Sequence, residues 1–375
     1  SKASDGSLVE GATINEVLTV GERIQADTTV SSTITVPVFS TTLWTGDNSD
    51  NRPLSTGIDN SDKSLVWIKC RTEPKVHILM DTERGTNSLL FTNERYPVQT
   101  GSSLVKSFNS DGFTLGDNTN VNQLNQDFVA WNFRAAPEFF DIVTYTGDGG
   151  FDKTISHNLG STPACVIIKR MDNNSEWMLA HAFDGGNNWS STSANFAHNA
   201  LRLNQADPST TDSSYVGCKD ATPTEFTVYQ GSTPAQLHGP NHSDATYIAY
   251  LFANTSGLIK CGKTSYLPGA TTEEVVCGFK PAFVLAKCVS ETGLWVMVDI
   301  ERGLHPQHSD ASYLYPSKTE REGSSYETMN MNANEDGFIL KATNGAGEYV
   351  YIAIAENAET DISSLVTPEA TVSAS

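Results

Sequence analysis

The sequence is poor in basic residues. Its 375 residues include 24 Lys and Arg against 44 Asp and Glu, so the formal net charge at pH 7 is −20. Binding to a nucleic-acid backbone or to an anionic membrane surface needs clustered Lys and Arg. We therefore expect neither nucleic acid nor an anionic membrane among the partners of this protein.

Cysteines and long hydrophobic runs are also scarce. Six Cys are scattered along the chain without a C-x-x-C pair, so neither a disulfide scaffold nor a zinc ribbon is expected. No run approaches the roughly 18 apolar residues of a membrane-spanning helix, and residues 1–6 lack the features of a signal peptide. The sequence predicts synthesis in a reducing cytoplasm, free thiols and no membrane insertion.

Amphipathic helices are missing as well, and strand patterns take their place. No segment sustains apolar spacing at i, i+3, i+4 and i+7 over about a dozen residues. Charged residues make up only 18% of the chain, and the polar remainder is mostly Ser, Thr, Asn, Gln and Gly, which favour turns and exposed strand faces. With 16 Phe, 12 Tyr and 6 Trp available for small cores, the composition predicts an all-β fold.

One pattern occurs three times along the chain. An apolar run that ends in Lys is followed, eight residues after the Lys, by a second apolar run that begins with His or Trp. The first runs are 65–69, 165–169 and 283–287, and the second runs are 77–81, 177–181 and 295–299. Each repeat also opens with a related motif (43–47, 144–148 and, less closely, 265–269) and closes with an aromatic-rich run (128–133, 247–252 and 349–354). The unchanged offset indicates a triplication with a period of about one small domain.

The repeated runs are short, β-branched and aromatic, and Gly, Asn, Asp and Pro bound them. They predict three tandem homologous antiparallel β-sandwich modules with an extended N-terminal arm. The predicted divisions are an arm or docking segment at 1–40, modules at 41–135, 136–253 and 254–357, and an extended C-terminal tail at 358–375.

Two of the repeats share an acidic and basic block. It reads D-T-E-R-G at 81–85 and D-I-E-R-G at 299–303. Two carboxylates beside an Arg fit a general acid and base that act on glycans. They also fit a turn in which Asp pairs with Arg and Gly takes a positive φ. The middle repeat has H-A-F-D-G at 181–185, a drift that favours the turn.

The tryptophans fall into two groups. Trp177 and Trp295 each begin the second run of a repeat, and we predict that they are buried core residues. Trp44 and Trp189 stand in polar loop contexts. These two are the candidate contacts for a glycan or another receptor, because an exposed indole can stack on a sugar.

Other patterns of chemical interest are weak. Residues 257–264 match the phosphate-loop pattern G-x-x-x-x-G-K-[ST], but the residues that follow cannot start a helix, and the repeat places a strand there. Residues 47–51 only loosely resemble a calcium loop. Two histidine pairs in loops are candidate metal ligands, which we interpret as solvated loop residues: His238 with His242, and His305 with His308. We predict no catalytic residue, no bound metal and no cofactor.

The repeated strings resemble a module of virion structural proteins from tailed bacteriophages, notably phages of marine bacteria and cyanobacteria. The resemblance rests on L-V-W-I-K-C-R at 65–71, H-I-L-M-D-T-E-R-G at 77–85, S-F-N-S-D-G-F-T-L-G at 107–116 and F-V-A-W at 128–131. It covers about residues 41–357, with the second and third repeats matching in outline. Cys70 and Glu83 depart from the module's usual pattern, and the module supplies no catalytic residues.

What the resemblance implies is a non-enzymatic virion structural protein, assembled in the host cytoplasm and exposed on the particle exterior. A tail fibre or appendage for host attachment is the leading expectation, and a capsid decoration or cementing protein is the alternative. A glycan-binding protein or a depolymerising enzyme is a second alternative. The expected partners are other virion proteins, further copies of the chain (with a trimer as a candidate) and a glycan or protein of the host surface.

Overall fold

Antiparallel strands dominate the structure, and the all-β prediction is confirmed. Strands account for 51% of the structure and helices for 3%. The computed structural model describes residues 35–182, 200–208, 217–229, 239–267, 270, 272–305, 312–323, 329–342 and 347–361. Most of the predicted arm and tail lies outside these ranges.

Three successive segments of the chain each form a larger and a smaller sheet. The first segment (39–134) contains β2 (Phe39–Thr45), β3 (Arg52–Leu54), β4 (Ser64–Cys70), β5 (Ile78–Asp81), β6 (Ser88–Phe91), β7 (Gln99–Thr100), β8 (Val105–Asn109), β9 (Gly112–Leu115), the short helix α1 (Thr119–Asn122) and β10 (Asp127–Arg134). The second segment (140–252) contains β11 (Phe140–Thr146), β12 (Asp152–Ser156), β13 (Cys165–Arg170), β14 (Trp177–His181), β15 (Ala200–Arg202), β16 (Gly217–Lys219), β17 (Glu225–Tyr229) and β18 (Thr246–Phe252). The third segment (259–355) contains β19 (Ile259–Tyr266), β20 (Glu273–Val276), β21 (Pro281–Cys288), β22 (Val296–Asp299), a 3-10 turn (Ile300–Arg302), β23 (Met329–Asn334), β24 (Gly337–Ala342) and β25 (Gly347–Ala355).

The strands that all three segments share follow the same order, although the larger sheets have six, five and four strands. The larger sheets run β2-β10-β4-β5-β6-β7, β11-β18-β13-β14-β15 and β19-β25-β21-β22. The smaller sheets run β3-β9-β8, β12-β17-β16 and β20-β24-β23. In each larger sheet the segment's first and last strands are neighbours, and the last strand pairs with the strand that carries the repeated Lys.

The T-G-D motif near the start of the first two segments closes the end of each sandwich. A Cβ on Gly46 would lie 2.0 Å from the carbonyl oxygen of Gln123, so only Gly allows this approach of two backbones. The next residue, Asp47, accepts a hydrogen bond from Asn122 Nδ2 at 2.9 Å. The second segment repeats this bond with Asp148 and Asn241 at 2.8 Å. The motif is therefore structural.

Strand β4 is buried on both faces. Leu65 and Trp67 belong to a central cluster to which all three segments contribute, whereas Val66 and Ile68 pack with Phe113 of the smaller sheet. Successive side chains of a strand point to opposite faces, so the larger sheet lies between two apolar layers. This explains why the run contains no alternating polar residues.

Phenylalanine rings from the three segments meet in the central cluster. The ring of Phe133 lies 5.4 Å from Phe140 and 6.0 Å from Phe252, both in the second segment. It also lies 6.3 Å from Phe283 of the third segment. Tilted and edge-to-face pairs at these distances are favourable. The segments therefore share one core, and the described residues from 35 to 361 belong to one compact unit.

The two ends of this unit pair with each other. Strand β1 (Thr35–Pro37) runs antiparallel to β26 (Glu359–Asp361), with Thr35 opposite Asp361. The amide of Val38 also donates to the carbonyl of Ala358 at 3.0 Å. The first and third segments are thus held together here by strand pairing, whereas short covalent connections join the other neighbours.

Candidate functional site

Three joints connect the segments, and polar groups at corresponding positions hold them. In each joint, the side chain that ends the fourth strand of one segment meets the last strand of another. The pairs are Trp131 Nε1 donating to Asp299 at 2.8 Å, Tyr250 Oη donating to Asp81 at 2.8 Å, and His181 Nε2 with the carbonyl oxygen of Tyr351 at 3.1 Å. Every segment contacts both others, so the three segments form a closed ring.

The D-T-E-R-G block forms the predicted turn and also part of a joint. Asp81 and Arg84 form an ion pair at 2.6 Å with side chains 0% and 4% exposed, and Gly85 has a φ of +75°. Arg84 also donates to the hydroxyl of Tyr250 at 3.2 Å. Glu83 is exposed, so the two carboxylates of the block do not share one accessible site.

The corresponding block of the third segment is built in the same way. Asp299 pairs with Arg302 at 2.6 Å with both side chains fully buried, and Gly303 has a φ of +104°. The guanidinium lies 5.2 Å from the centroid of the Trp131 ring, in cation–π contact. Because Asp299 is buried and Glu301 is exposed, this block also offers no accessible acid and base pair.

The repeated Lys residues are buried, and two of them reach across a boundary between segments. Lys169 donates to the carbonyl of Arg95 in the first segment at 3.0 Å, and Lys287 donates to the carbonyl of Ala206 in the second segment at 3.1 Å. Lys69 bonds carbonyls of its own segment. Desolvation lowers the pKa of Lys169 to about 7 and the pKa values of the other two to about 8. Sequence reasoning found this repeat but missed its role.

The predicted core tryptophans are buried, which confirms that prediction. Trp177 and Trp295 are both 0% exposed. Each indole also crosses a joint, because Trp177 Nε1 donates to the carbonyl of Phe91 and Trp295 Nε1 to that of Arg202, both at 2.9 Å. The two residues therefore combine core packing with contact between segments.

The predicted glycan contacts have a different outcome. Trp44 is only 7% exposed, stacks on Phe128 with ring centroids 5.4 Å apart, and donates from Nε1 to the carbonyl of Val121 at 3.0 Å. Its ring presents no free face to a sugar, so the structure does not support Trp44 as a receptor contact. Trp189 lies outside the described residues.

The remaining sequence patterns have structural places. Residues 257–264 lead into strand β19, as predicted, and not into a helix. His238 and His308 lie outside the described residues, so the two histidine pairs are incomplete there. In the described ranges, no three His, Cys, Asp or Glu side chains are grouped so that they could hold a metal ion. The same ranges contain no helix with the length and hydrophobicity needed to cross a bilayer.

A polar cleft lies at the joint between the first and second segments. Its volume is about 590 Å³, and we name it the 95/176 cleft. It is lined by Asn93, Glu94, Arg95, Tyr96, Asn173, Asn174, Asn204 and Gln205. Tyr96 is 51% exposed, which makes it one of the few large apolar groups of the described surface.

Backbone bonds between the two segments fix the walls of the 95/176 cleft. The amide of Ser175 donates to the carbonyl of Arg95 at 2.9 Å, and the amide of Val98 donates to that of Met171 at 2.9 Å. The buried Lys169 binds the same Arg95 carbonyl. The wall that carries Tyr96 is therefore held against the second segment before any ligand arrives.

A buried carboxylate lies beneath this cleft. Glu176 is 5% exposed and pairs with Arg95 Nε at 3.0 Å. Its other oxygen accepts from Asn204 Nδ2 at 2.5 Å and from Gln205 Nε2 at 3.2 Å. These bonds orient two amide side chains of the lining, so Glu176 supports the cleft from below.

A second cleft, of about 660 Å³, lies at the joint between the third and first segments. Its lining includes Tyr313, Tyr315 and Glu322. Tyr315 is buried, and Glu322 forms ion pairs with Arg71 at 2.8 Å and with Arg302 at 3.1 Å. The aromatic and charged groups here are largely committed to the joint itself.

Comparison with known proteins places the chain in a family. No curated protein matches it. A family model described as a domain of unknown function, DUF7483, matches residues 36–358. The match runs from β1 through all three segments, so the family's unit is the whole three-segment body and not one repeat. The chain belongs to the DUF7483 family.

Proposed function

We propose that the three segments are tandem homologous antiparallel β-sandwich modules, with boundaries near 41–135, 136–253 and 254–357. The common order of the strands that the three sheet pairs share supports this, as do the repeated Lys and the turns at corresponding positions. Because the modules share a central core, they form one body. In a simple tandem array, by contrast, each module contacts only its neighbours in the chain.

We propose that this body is a non-enzymatic structural component of a bacteriophage virion, namely a tail fibre or appendage that attaches to the host surface. The observation that carries the proposal is the use of the repeated charged residues. The Asp and Arg of the two D-x-E-R-G blocks are buried in joints between segments, and Lys169 and Lys287 bind carbonyls of a neighbouring segment. Residues of this kind in a hydrolase would line an accessible site.

The resemblance of the repeats to a virion module supports the same proposal, and so does the mechanical character of the fold. Each larger sheet packs on both faces, and polar bonds at the joints oppose sliding of one segment past another. A particle component that is exposed to the environment needs this kind of rigidity. The net charge of −20 also disfavours non-specific adsorption to anionic cell envelopes.

Immunogold electron microscopy of purified particles tests the proposal. Antibodies against the recombinant chain are expected to label the tail or its appendages. Uniform labelling of the head, with hundreds of copies per particle, would favour the alternative of a capsid decoration protein. Particles without any label, from a lysate that contains the chain, would contradict both virion roles.

Glycan contact is the second candidate function, and the 95/176 cleft is the observation that favours it. A depolymerase is the enzymatic form of this candidate. Incubation of the chain with host envelope polysaccharide is expected to release no reducing sugar. Release that disappears in Asp81→Asn or Glu83→Gln would overturn the non-enzymatic proposal, provided that the variants remain folded.

Further copies of the chain are a proposed partner. The joints between segments are already filled within one chain, so a homo-oligomer such as a trimer would use other surfaces. Residues outside the three segments, including the predicted arm at 1–40, are the proposed contribution to assembly and to docking on other virion proteins.

A further inference from the structure

We propose that the 95/176 cleft binds a neutral glycan through Tyr96 and the amide side chains around it. The inference rests on the proposed attachment function and deepens it, because it places the receptor contact at the joint between two segments. It also replaces Trp44, whose ring is buried, with an aromatic side chain that a sugar can reach.

Tyr96 provides the apolar contact. Its side chain is half exposed and lines a concave surface. An aromatic ring of this kind can cover the C–H face of a pyranose, while the phenol hydroxyl remains available for a hydrogen bond. Phe151 is even more exposed, at 61%, but it does not belong to this lining, so exposure alone does not define the site.

The amides of the lining provide the polar contacts. Asn173 and Asn174 are exposed on one wall, whereas the amide of Asn93 on the other wall already bonds the His77 amide and Glu94. A side-chain amide has both a donor and an acceptor, and so does each sugar hydroxyl. A wall of amides is therefore suited to a ligand with neighbouring hydroxyl groups, and less suited to an apolar ligand.

Hydrogen bonds within the protein fix the shape of the cleft before such a ligand binds. The bonds from Ser175 and Lys169 to the carbonyl of Arg95 hold the two walls together, and Glu176 orients Asn204. A volume of about 590 Å³ falls within the range of small-molecule sites, about 300–1,000 Å³. A preorganised site loses less conformational entropy on binding, which matters for the weak contacts that sugars make.

The charges around the 95/176 cleft favour a neutral sugar over an anionic one. Among the described lining residues Arg95 is the one cation; Glu94 and Glu176 stand beside it, and Glu176 pairs with its Nε. The protein as a whole carries a charge of −20. A uronate, sulfate or phosphate group is disfavoured here, because two carboxylates stand beside one guanidinium.

The experiment is titration calorimetry of the full chain with neutral oligosaccharides prepared from host envelope polysaccharide. Uronate-containing oligosaccharides of similar length form a parallel arm. We expect saturable binding of the neutral ligands, and about tenfold weaker binding in Tyr96→Ala and in Asn174→Ala. Phe151→Ala is the matched control for an exposed aromatic residue, and its affinity is expected to equal that of the unmodified chain.

Two results would overturn the inference: no binding of any neutral oligosaccharide, or equal affinities in Tyr96→Ala, Asn174→Ala and the unmodified chain. Unchanged thermal unfolding of the three variants ensures that a loss of affinity reports on the cleft. Failure here would leave the proposed virion function standing if particles are still labelled by antibody, so the two failures are distinguishable.

Discussion

Single residues at the joints perform two tasks, packing and hydrogen bonding across segments. Trp177 fills the core with its ring, and its Nε1 binds a carbonyl of the preceding segment. Lys169, Lys287 and the turn residues likewise bond both their own segment and a neighbour. Substitutions at these residues are therefore expected to affect the stability of the whole body.

Trp177→Ala is expected to lower the free energy of unfolding by about 3–5 kcal/mol, because it leaves a large cavity in the core. Equilibrium denaturation in urea measures this change. The exposed Phe151 provides the comparison, since Phe151→Ala is expected to change stability by less than about 0.5 kcal/mol. Equal stabilities of the two variants would contradict the role of Trp177.

His181 is expected to make the protein sensitive to acid. Burial lowers its pKa from 6.5 to about 4 in the folded state. Between these pH values the unfolded state binds a proton that the folded state does not bind, so stability is lost as the pH falls from 6.5 to 4. His77 and His157 have lowered pKa values for the same reason and act in the same direction.

His181→Gln isolates the contribution of that joint. Gln keeps a side chain that can hydrogen bond the carbonyl of Tyr351, but it does not titrate in this range. Between pH 6.5 and 4, the unfolding free energy of the variant is expected to depend less steeply on pH. The decrease in slope corresponds to the uptake of up to about one proton on unfolding. An unchanged slope in the urea midpoints of the variant would show that His181 does not titrate as proposed.

At the scale of elements, the joints lie between the end of the fourth strand and the last strand of a different segment. Two such contacts, at Asp81 with Tyr250 and at Asp299 with Trp131, use a carboxylate at the same register position. Strand pairing fixes the position of each carboxylate. Side chains that are far apart in sequence are therefore held in contact by the register of the sheets.

Tyr250→Phe and Asp81→Asn are expected to be non-additive in their effects on stability, with a coupling energy of about 0.5–3 kcal/mol, since they remove one shared contact. Tyr250→Phe combined with Asp299→Asn is the control, because these residues belong to different joints. Additive effects in both pairs, measured by denaturation of the single and double variants, would contradict the assigned contact.

Individual strands were predictable from their residues. The run 65–69 is apolar and β-branched, and the structure has β4 there; likewise the 81–85 block forms the predicted turn. The partner of each turn was not predictable, because nothing near Asp81 in the sequence indicates Tyr250. The misplacement of Trp44 has a similar cause, since the groups that cover its ring, such as Phe128 and Val121, are distant in sequence.

At the largest scale, the three described segments form a closed ring in which one of the three connections between segments is non-covalent. The pairing of β1 with β26 closes the body where the first and third segments meet. Both ends of the described body leave it side by side at this pairing. An attachment to another protein at this position would leave the three joints between segments intact.

A disulfide between β1 and β26 is expected to stabilise the ring. Thr35 and Asp361 are both exposed and lie opposite each other, and paired antiparallel residues have Cα atoms about 4.5–5.5 Å apart, within disulfide range. The Thr35→Cys/Asp361→Cys double variant, once oxidised, is expected to gain about 2–4 kcal/mol in unfolding free energy.

The reduced double variant and the two single variants serve as controls for this disulfide. They are expected to match the unmodified chain in thermal unfolding. Oxidised cysteines without a rise in stability would contradict the closed ring, because the ring requires that β1 and β26 separate when the protein unfolds.

The sequence by itself determined the class of fold and its internal repetition, because strand propensity, turn residues and the offset between runs are local properties. Only the tertiary structure decided that the three sheet pairs share one core and close into a ring. It also decided that the repeated Asp and Arg and two of the repeated Lys hold joints and that Tyr96, instead of Trp44, faces a cleft. The physical reason is that a strand's sequence records whether each face is buried, but not which distant surface covers it.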